Sequence, residues 1–150
     1  MNPSAAYNQI LKVLRKQHGN GITTNITLDA LGKRYFCGVY LGTYPWNKYP
    51  INKLPEYGFA IINTDDSSGD GVHWVAVHNY KNTIYIYDSF GRKSTNLLKG
   101  FSKLIKKYGK KLVDSKYDAE QADSQEDCGM RCLAWLMIVK CMGVKKALAI

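Results

Sequence analysis

Ile10, Leu11 and Leu14, with Lys12, Arg15 and Lys16 between them, give residues 5–17 the spacing of a helix that Gly19-Asn20-Gly21 ends. This predicts an N-terminal helical appendage over 1–24, ahead of one domain over 25–150. Thr27 before Leu28-Asp29-Ala30-Leu31 reads as the cap of a short helix that Gly32 stops, and residues 35–40 are rich enough in aromatic and branched side chains for a strand. Pro45, Pro50 and Pro55 then mark a loop, because proline's fixed φ and missing N–H exclude a helix or a central strand. Strands are predicted over 59–62, 72–77 and 84–87, with a polar turn over 65–71 between the first two.

Further on, residues 97–112 place Leu97, Phe101, Leu104, Ile105, Tyr108 and Leu112 on one helical stripe. Lys99, Lys103, Lys106, Lys107 and Lys110 crowd the other side, predicting an amphipathic, strongly basic helix. An acidic stretch over 114–127 leads to Cys128-Gly129, and residues 130–141 are apolar nearly all round, as a helix buried inside a domain should be. The order of elements points to the α+β class.

Length and composition add bounds. With 150 residues, 45% of them hydrophobic, the chain has room for one core. Its longest apolar run, 133–139, is too short to cross a bilayer, so a soluble intracellular protein is expected. Lys and Arg outnumber Asp and Glu 21 to 12, a net +9 that favours polyanions. Cys37, Cys128, Cys132 and Cys141 include no C-x-x-C pair, so free thiols are expected rather than a metal site or a disulfide framework.

The candidate chemistry begins in the hairpin. A turn centred on Tyr80-Lys81 makes facing residue numbers sum to 161, which sets His73 opposite Asp88, with Cβ atoms roughly 5 Å apart. A carboxylate there fixes the imidazole tautomer and raises its basicity. Val75, Val77, Ile84 and Ile86 share that face, and the buried helix is the expected cover. Cys128 stands at that helix's start, where unpaired N–H groups and the helix dipole favour a thiolate and where its own amide is placed to bind an oxyanion. Gln121 and Gln125 both offer a side-chain donor, and spacing does not choose between them. His18 and His78 do not join the set, Trp74 packs beside it, and Cys37, Cys132 and Cys141 read as buried thiols.

Gly71-Val72-His73-Trp74, Tyr87-Asp88-Ser89-Phe90-Gly91, and Gln121 followed by Cys128-Gly129 together resemble the adenovirus protease (adenain) family of cysteine peptidases. Tyr40-Leu41-Gly42-Thr43-Tyr44 and Ala60-Ile61-Ile62-Asn63-Thr64 extend the likeness, which covers about residues 28–141 and includes relatives in virophages and polinton-type elements. The resemblance implies a papain-like, adenain-like fold: a central, mostly antiparallel sheet packed on a buried helix that starts at the nucleophile. It also implies a catalytic set of His73, Asp88, Gln121 and Cys128, because the family's oxyanion glutamine lies seven residues before the nucleophile, which selects Gln121.

The implied activity is that of a viral maturation endopeptidase cutting capsid and core precursors at Gly-containing sites, in the virion and at the host assembly site, nucleus or cytoplasmic factory. DNA is an implied cofactor, with Lys99, Lys103, Lys106, Lys107 and Lys110 as candidate contacts; no metal, small-molecule cofactor or membrane partner is expected. An activating viral peptide is also implied, but not a disulfide-linked one, because residues 92–127 contain no cysteine. Two rival readings are a deubiquitinase or SUMO-type isopeptidase, whose usual spacing would put its glutamine at Ala122, and a non-catalytic, basic DNA-binding virion protein on a protease scaffold.

Overall fold

Phe59, Ala60, Ile61 and Ile62 leave neither face of their strand fit for water, so this strand needs a cover on both sides. In the computed structural model, which describes residues 2–65, 73–122 and 124–150, it receives one on each. The elements run α1 (Pro3–His18), α2 (Asn25–Tyr35), β1 (Tyr40–Pro45), β2 (Tyr57–Asn63), β3 (Trp74–Tyr80), β4 (Thr83–Tyr87), α3 (Ser94–Leu97), α4 (Lys99–Lys107), β5 (Lys111–Asp114), α5 (Cys128–Met142) and α6 (Val144–Ala147). The strands form one sheet in the order β1-β2-β3-β4-β5. The chain is therefore α+β. The sheet is antiparallel only at its centre, with parallel pairs β1/β2 and β4/β5 at its edges.

Phe59, Ile61, Ala76 and Tyr87 face a core shared with α1, α2 and α5. Ala60, Ile62, Val75, Val77, Ile84 and Ile86 face a second core closed by Tyr49, Ile51 and the α3–α4 residues Leu98, Phe101 and Ile105. The cover expected over Val75 and its companions is thus corrected: the basic helix lies there, and α5 packs on the opposite face. Both helices are apolar enough to cover a sheet, and side-chain alternation alone does not say which takes which side.

Several boundaries also differ from expectation. Thr24, not Thr27, caps α2, its Oγ accepting from the Thr27 amide at 3.2 Å. Gly32 does not stop that helix. A Cβ at position 32 would lie 2.2 Å from the Tyr40 ring, so glycine is there to let the ring pass. Residues 36–39 form a turn in which the Val39 and Tyr40 amides both bond the Phe36 carbonyl, so the strand predicted over 35–40 begins only at Tyr40. The long basic helix is shorter than predicted: α4 stops at Lys107, Gly109 turns with φ 69, and Leu112 belongs to β5. Lys110 therefore leaves the helical stripe of Lys99, Lys103, Lys106 and Lys107. The turn expected over 65–71 and the strand start at Val72 lie largely at 66–72, outside the described residues.

α5 is buried along most of its length, and Trp135 stacks flat on Tyr87 with ring centroids 5.4 Å apart. Tyr7, Leu11 and Leu14, at i, i+4 and i+7 of α1, are buried in this same core. The N-terminal helix thus packs as part of the core rather than standing off it. Cys37 and Cys141 are exposed, contrary to expectation, while Cys132 is buried. Among the described residues no helix is long and apolar enough to cross a membrane.

If α1 is a core element, Leu11→Ala should cost about 2–4 kcal/mol in denaturant unfolding. The exposed neighbour change Val13→Ala should stay within about 0.5 kcal/mol.

Candidate active site

β4 ends at Tyr87, whose ring lies under α5, and the next residue, Asp88, is where the chain leaves the sheet. His73 stands immediately before β3, so both side chains emerge at one end of the hairpin. His73 Nε2 donates to Asp88 Oδ1 at 2.6 Å, with both residues buried. The hairpin register is not the expected one: Ala76 faces Tyr87 and Tyr80 faces Thr83, so facing numbers sum to 163. The turn is Lys81-Asn82, with Lys81 at φ 53 and the Asn82 side-chain amide donating to the Gly109 carbonyl at 3.0 Å. A change of two in that sum keeps every residue on its face, so His73 and Asp88 still meet, as diagonal rather than direct neighbours.

The Cys128 thiol, at the first position of α5, lies close enough to the same imidazole to help hold its proton. Burial pulls the His73 imidazole down, but its bond to Asp88 and the nearby Cys128 thiol outweigh that and raise it above the ordinary histidine value. Burial likewise opposes ionised Asp88, and the bonds from His73 and Arg92 overcome it, holding the carboxyl down at about 2. His78 is the contrast: buried on the other sheet face, with Nδ1 donating to the Gly58 carbonyl at 2.8 Å, it is pushed down to about 4 by burial and stays neutral.

Several neighbours of the site have no counterpart among the residues expected from sequence. Arg92 Nε donates to Asp88 Oδ2 at 2.8 Å and its amide to the same oxygen at 3.0 Å, an i, i+4 pair visible in the sequence. The Phe90 ring lies 5.0 Å from the His73 ring, and the Arg92 guanidinium lies 4.9 Å above Phe90. Ser89 Oγ donates to Gln121 Oε1 at 2.5 Å, while the Gln121 amide nitrogen donates to the Gln125 carbonyl at 2.6 Å. Gln121 is thus buried beside the residue that follows Asp88. Gln125 is turned elsewhere, its Oε1 accepting from Arg131 and from the Ala122 amide.

Trp74 Nε1 donates to the Thr23 carbonyl at 3.0 Å, tying the α1–α2 linker to the site. A Cβ on Gly129 would approach Leu28 and Thr23 within 3.0–3.2 Å, so a larger residue would press on that linker. The lysines Lys99, Lys103, Lys106 and Lys107 are exposed on α4, on the opposite side of the sheet from α5. The structure does not bring them to the thiol. Among the described residues no cluster of three His, Cys, Asp or Glu is arranged to hold a metal ion.

A thiol at a helix start, an imidazole between it and a carboxylate, and a buried glutamine close by are a set able to attack an amide carbonyl. Comparison with known families matches residues 36–143 to the adenovirus endoprotease model. The chain belongs to the adenovirus endoprotease family. It is accordingly a cysteine endopeptidase, a hydrolase of peptide bonds, and the match spans His73, Asp88, Gln121 and Cys128. No curated protein matches the chain.

The endopeptidase should lose part of its stability in acid for a stated reason. A carboxyl held at about 2 contributes stability that is complete above its unfolded value near about 4 and disappears as pH falls towards about 2. The stability difference between the parent and Asp88→Asn in urea should therefore be largest between about pH 5 and the raised value of His73, and shrink towards about pH 2. A difference that stayed constant across this range would contradict the ionised His73–Asp88–Arg92 arrangement.

Proposed function

We propose that this endopeptidase is a viral maturation protease that cuts capsid and core precursor proteins at Gly-containing sites, using Cys128 as nucleophile, His73 as base and acid, and Asp88 as the group that orients it. The observation that carries this reading is the buried imidazole of His73, bonded to Asp88 through Nε2 and close to the Cys128 thiol at the start of α5. The thiolate attacks the scissile carbonyl. The oxyanion is received by the Cys128 amide and by the second N–H of Gln121, whose carboxamide Ser89 holds in place. The His73 imidazolium then protonates the leaving amine, and the neutral ring activates water to release the acyl-enzyme. A nucleophile leading a buried helix, opposite a histidine carried by a sheet, is the arrangement of papain-like proteases and supports that fold assignment.

The setting follows from the family: viral precursor proteins as substrates, in the virion or the infected cell. The α4 lysines and the net charge of +9 support DNA as a further partner bound through its phosphates. An activating peptide is not linked through residues 92–127, which hold no thiol.

Peptides with Gly-containing capsid-type sites and peptides from ubiquitin-like C-termini, offered side by side, separate this reading from an isopeptidase. The first set should be cleaved, and Cys128→Ala should abolish cleavage while retaining the fold. Turnover confined to the second set would overturn the substrate assignment, and undiminished cleavage by Cys128→Ala would overturn the nucleophile. For DNA, Lys103→Glu with Lys107→Glu should weaken binding equally across sequences and reduce the salt slope by about one for each phosphate left without its lysine.

A further inference from the structure

Asp127, the residue before the nucleophile, occupies the N-cap position of α5, where an aspartate normally turns its carboxylate onto the free amides of the first helical turn. Here it does not. Asp127 has φ −99 and ψ 28 rather than the extended backbone of a capping residue, and its side chain caps nothing. Both carboxylate oxygens are drawn the other way. Oδ1 accepts from Arg131 Nε at 2.9 Å, and Oδ2 accepts from Arg15 Nε at 2.6 Å, with a second contact from Arg15 Nη2. The carboxylate is 1% exposed, so water does not screen it.

Arg131 is anchored independently. Its Nη1 donates to the Glu120 carbonyl at 2.7 Å and to the Tyr7 hydroxyl at 3.4 Å, and its Nη2 to Gln125 Oε1 at 3.2 Å. Among the described residues Arg15 has no comparable anchor other than the helix that carries it. It reaches Asp127 only because α1 lies along α5 through Tyr7, Leu11 and Leu14.

We infer that Arg15 is a positioning residue for the peptidase reaction. Together with Arg131 it neutralises the Asp127 carboxylate and holds it away from the first turn of α5, leaving those amides to the Cys128 thiolate and the oxyanion. The inference builds on the Cys128–His73–Asp88 reading and adds α1 to it. A buried carboxylate one residue from a nucleophilic sulfur disfavours the thiolate, and one that caps the helix also occupies the donors an oxyanion needs. Arg15 suppresses both effects. Among the described residues, the other titratable groups near the sulfur are His73, with Asp88 behind it, and the buried Cys132 thiol one turn along α5.

The test reads Cys128 directly and needs no knowledge of the substrate. Rates of alkylation by iodoacetamide, followed at each cysteine by peptide mass mapping, report the nucleophile; acylation by p-nitrophenyl acetate reports the nucleophile and the oxyanion donors together. Arg15→Gln should slow alkylation of Cys128 several-fold and acylation by about tenfold or more. Cys37, exposed and remote, should alkylate at the parent rate. Arg15→Lys should restore much of the loss, and Arg15→Gln with Asp127→Asn, which removes the offending charge, should react faster than Arg15→Gln alone.

A purely structural role predicts the reverse for the double variant, since it breaks a further ion pair. Thermal unfolding of each variant shows whether it is folded at the assay temperature, and Arg15→Met, which keeps the apolar stem and removes the charge, takes the place of Arg15→Gln if that variant is not. Arg15→Gln reacting at the parent rate on both reagents, Arg15→Lys no faster than Arg15→Gln, or a double variant no faster than Arg15→Gln, would overturn the inference while leaving the triad intact. A parent Cys128 no more reactive than Cys37 would instead overturn the triad, and the inference with it.

Discussion

The flat stack of Trp135 on Tyr87 is the contact on which the site depends. It presses α5 against the sheet at the last residue of β4, and the next residue along the chain is Asp88. One residue therefore holds the helix that carries the sulfur, while its neighbour holds the imidazole. The separation of thiol and imidazole is set by packing inside a core rather than by a loop, which is what a precise proton transfer between two such groups requires. The hydroxyl of the same tyrosine lies 2.7 Å from that of Tyr7, so α1 is drawn to the same point.

Around this anchor the electrostatics are arranged in two separate ion clusters. Asp88 receives His73 and Arg92, and Asp127 receives Arg15 and Arg131, so neither carboxylate faces the sulfur without a compensating cation. Glu120, half-buried beside Tyr87, is governed by burial instead; its carboxyl is pushed up to about 7, so much of it is neutral at physiological pH. The two sheet histidines show how strongly placement decides charge. His73, with a carboxylate and a thiol, is raised, whereas His78, with only a backbone carbonyl, is lowered.

Much of this was legible in the sequence because the chemistry sits where local signals are strong. A cysteine and glycine opening an all-apolar helix mark the start of α5, and strand alternation puts His73 and Asp88 on one face. The exact hairpin register was not legible, because the left-handed conformation at Lys81 has no glycine to announce it. The helical stripe over 97–112 misled because Leu112 fits a helix by spacing, while Gly109 and the free edge of β4 make it a strand. Which helix covers which face is a tertiary choice that periodicity does not encode. The Asp127 cluster joins residues 112 positions apart, Arg15 and Asp127, and only its Arg131 half left a trace, as a lone charge in an apolar helix.

The alternation at the end of β4 also limits how relatives of this chain can vary in length. Losing or gaining one residue within that strand would exchange the orientations of positions 87 and 88, moving the ring out from under the helix and the carboxylate away from its imidazole in a single step. Lengthening or trimming both arms of the hairpin by matched amounts at its tip would disturb neither. Lineages should therefore tolerate variable tips and keep Tyr87 and Asp88 adjacent at the end of the strand.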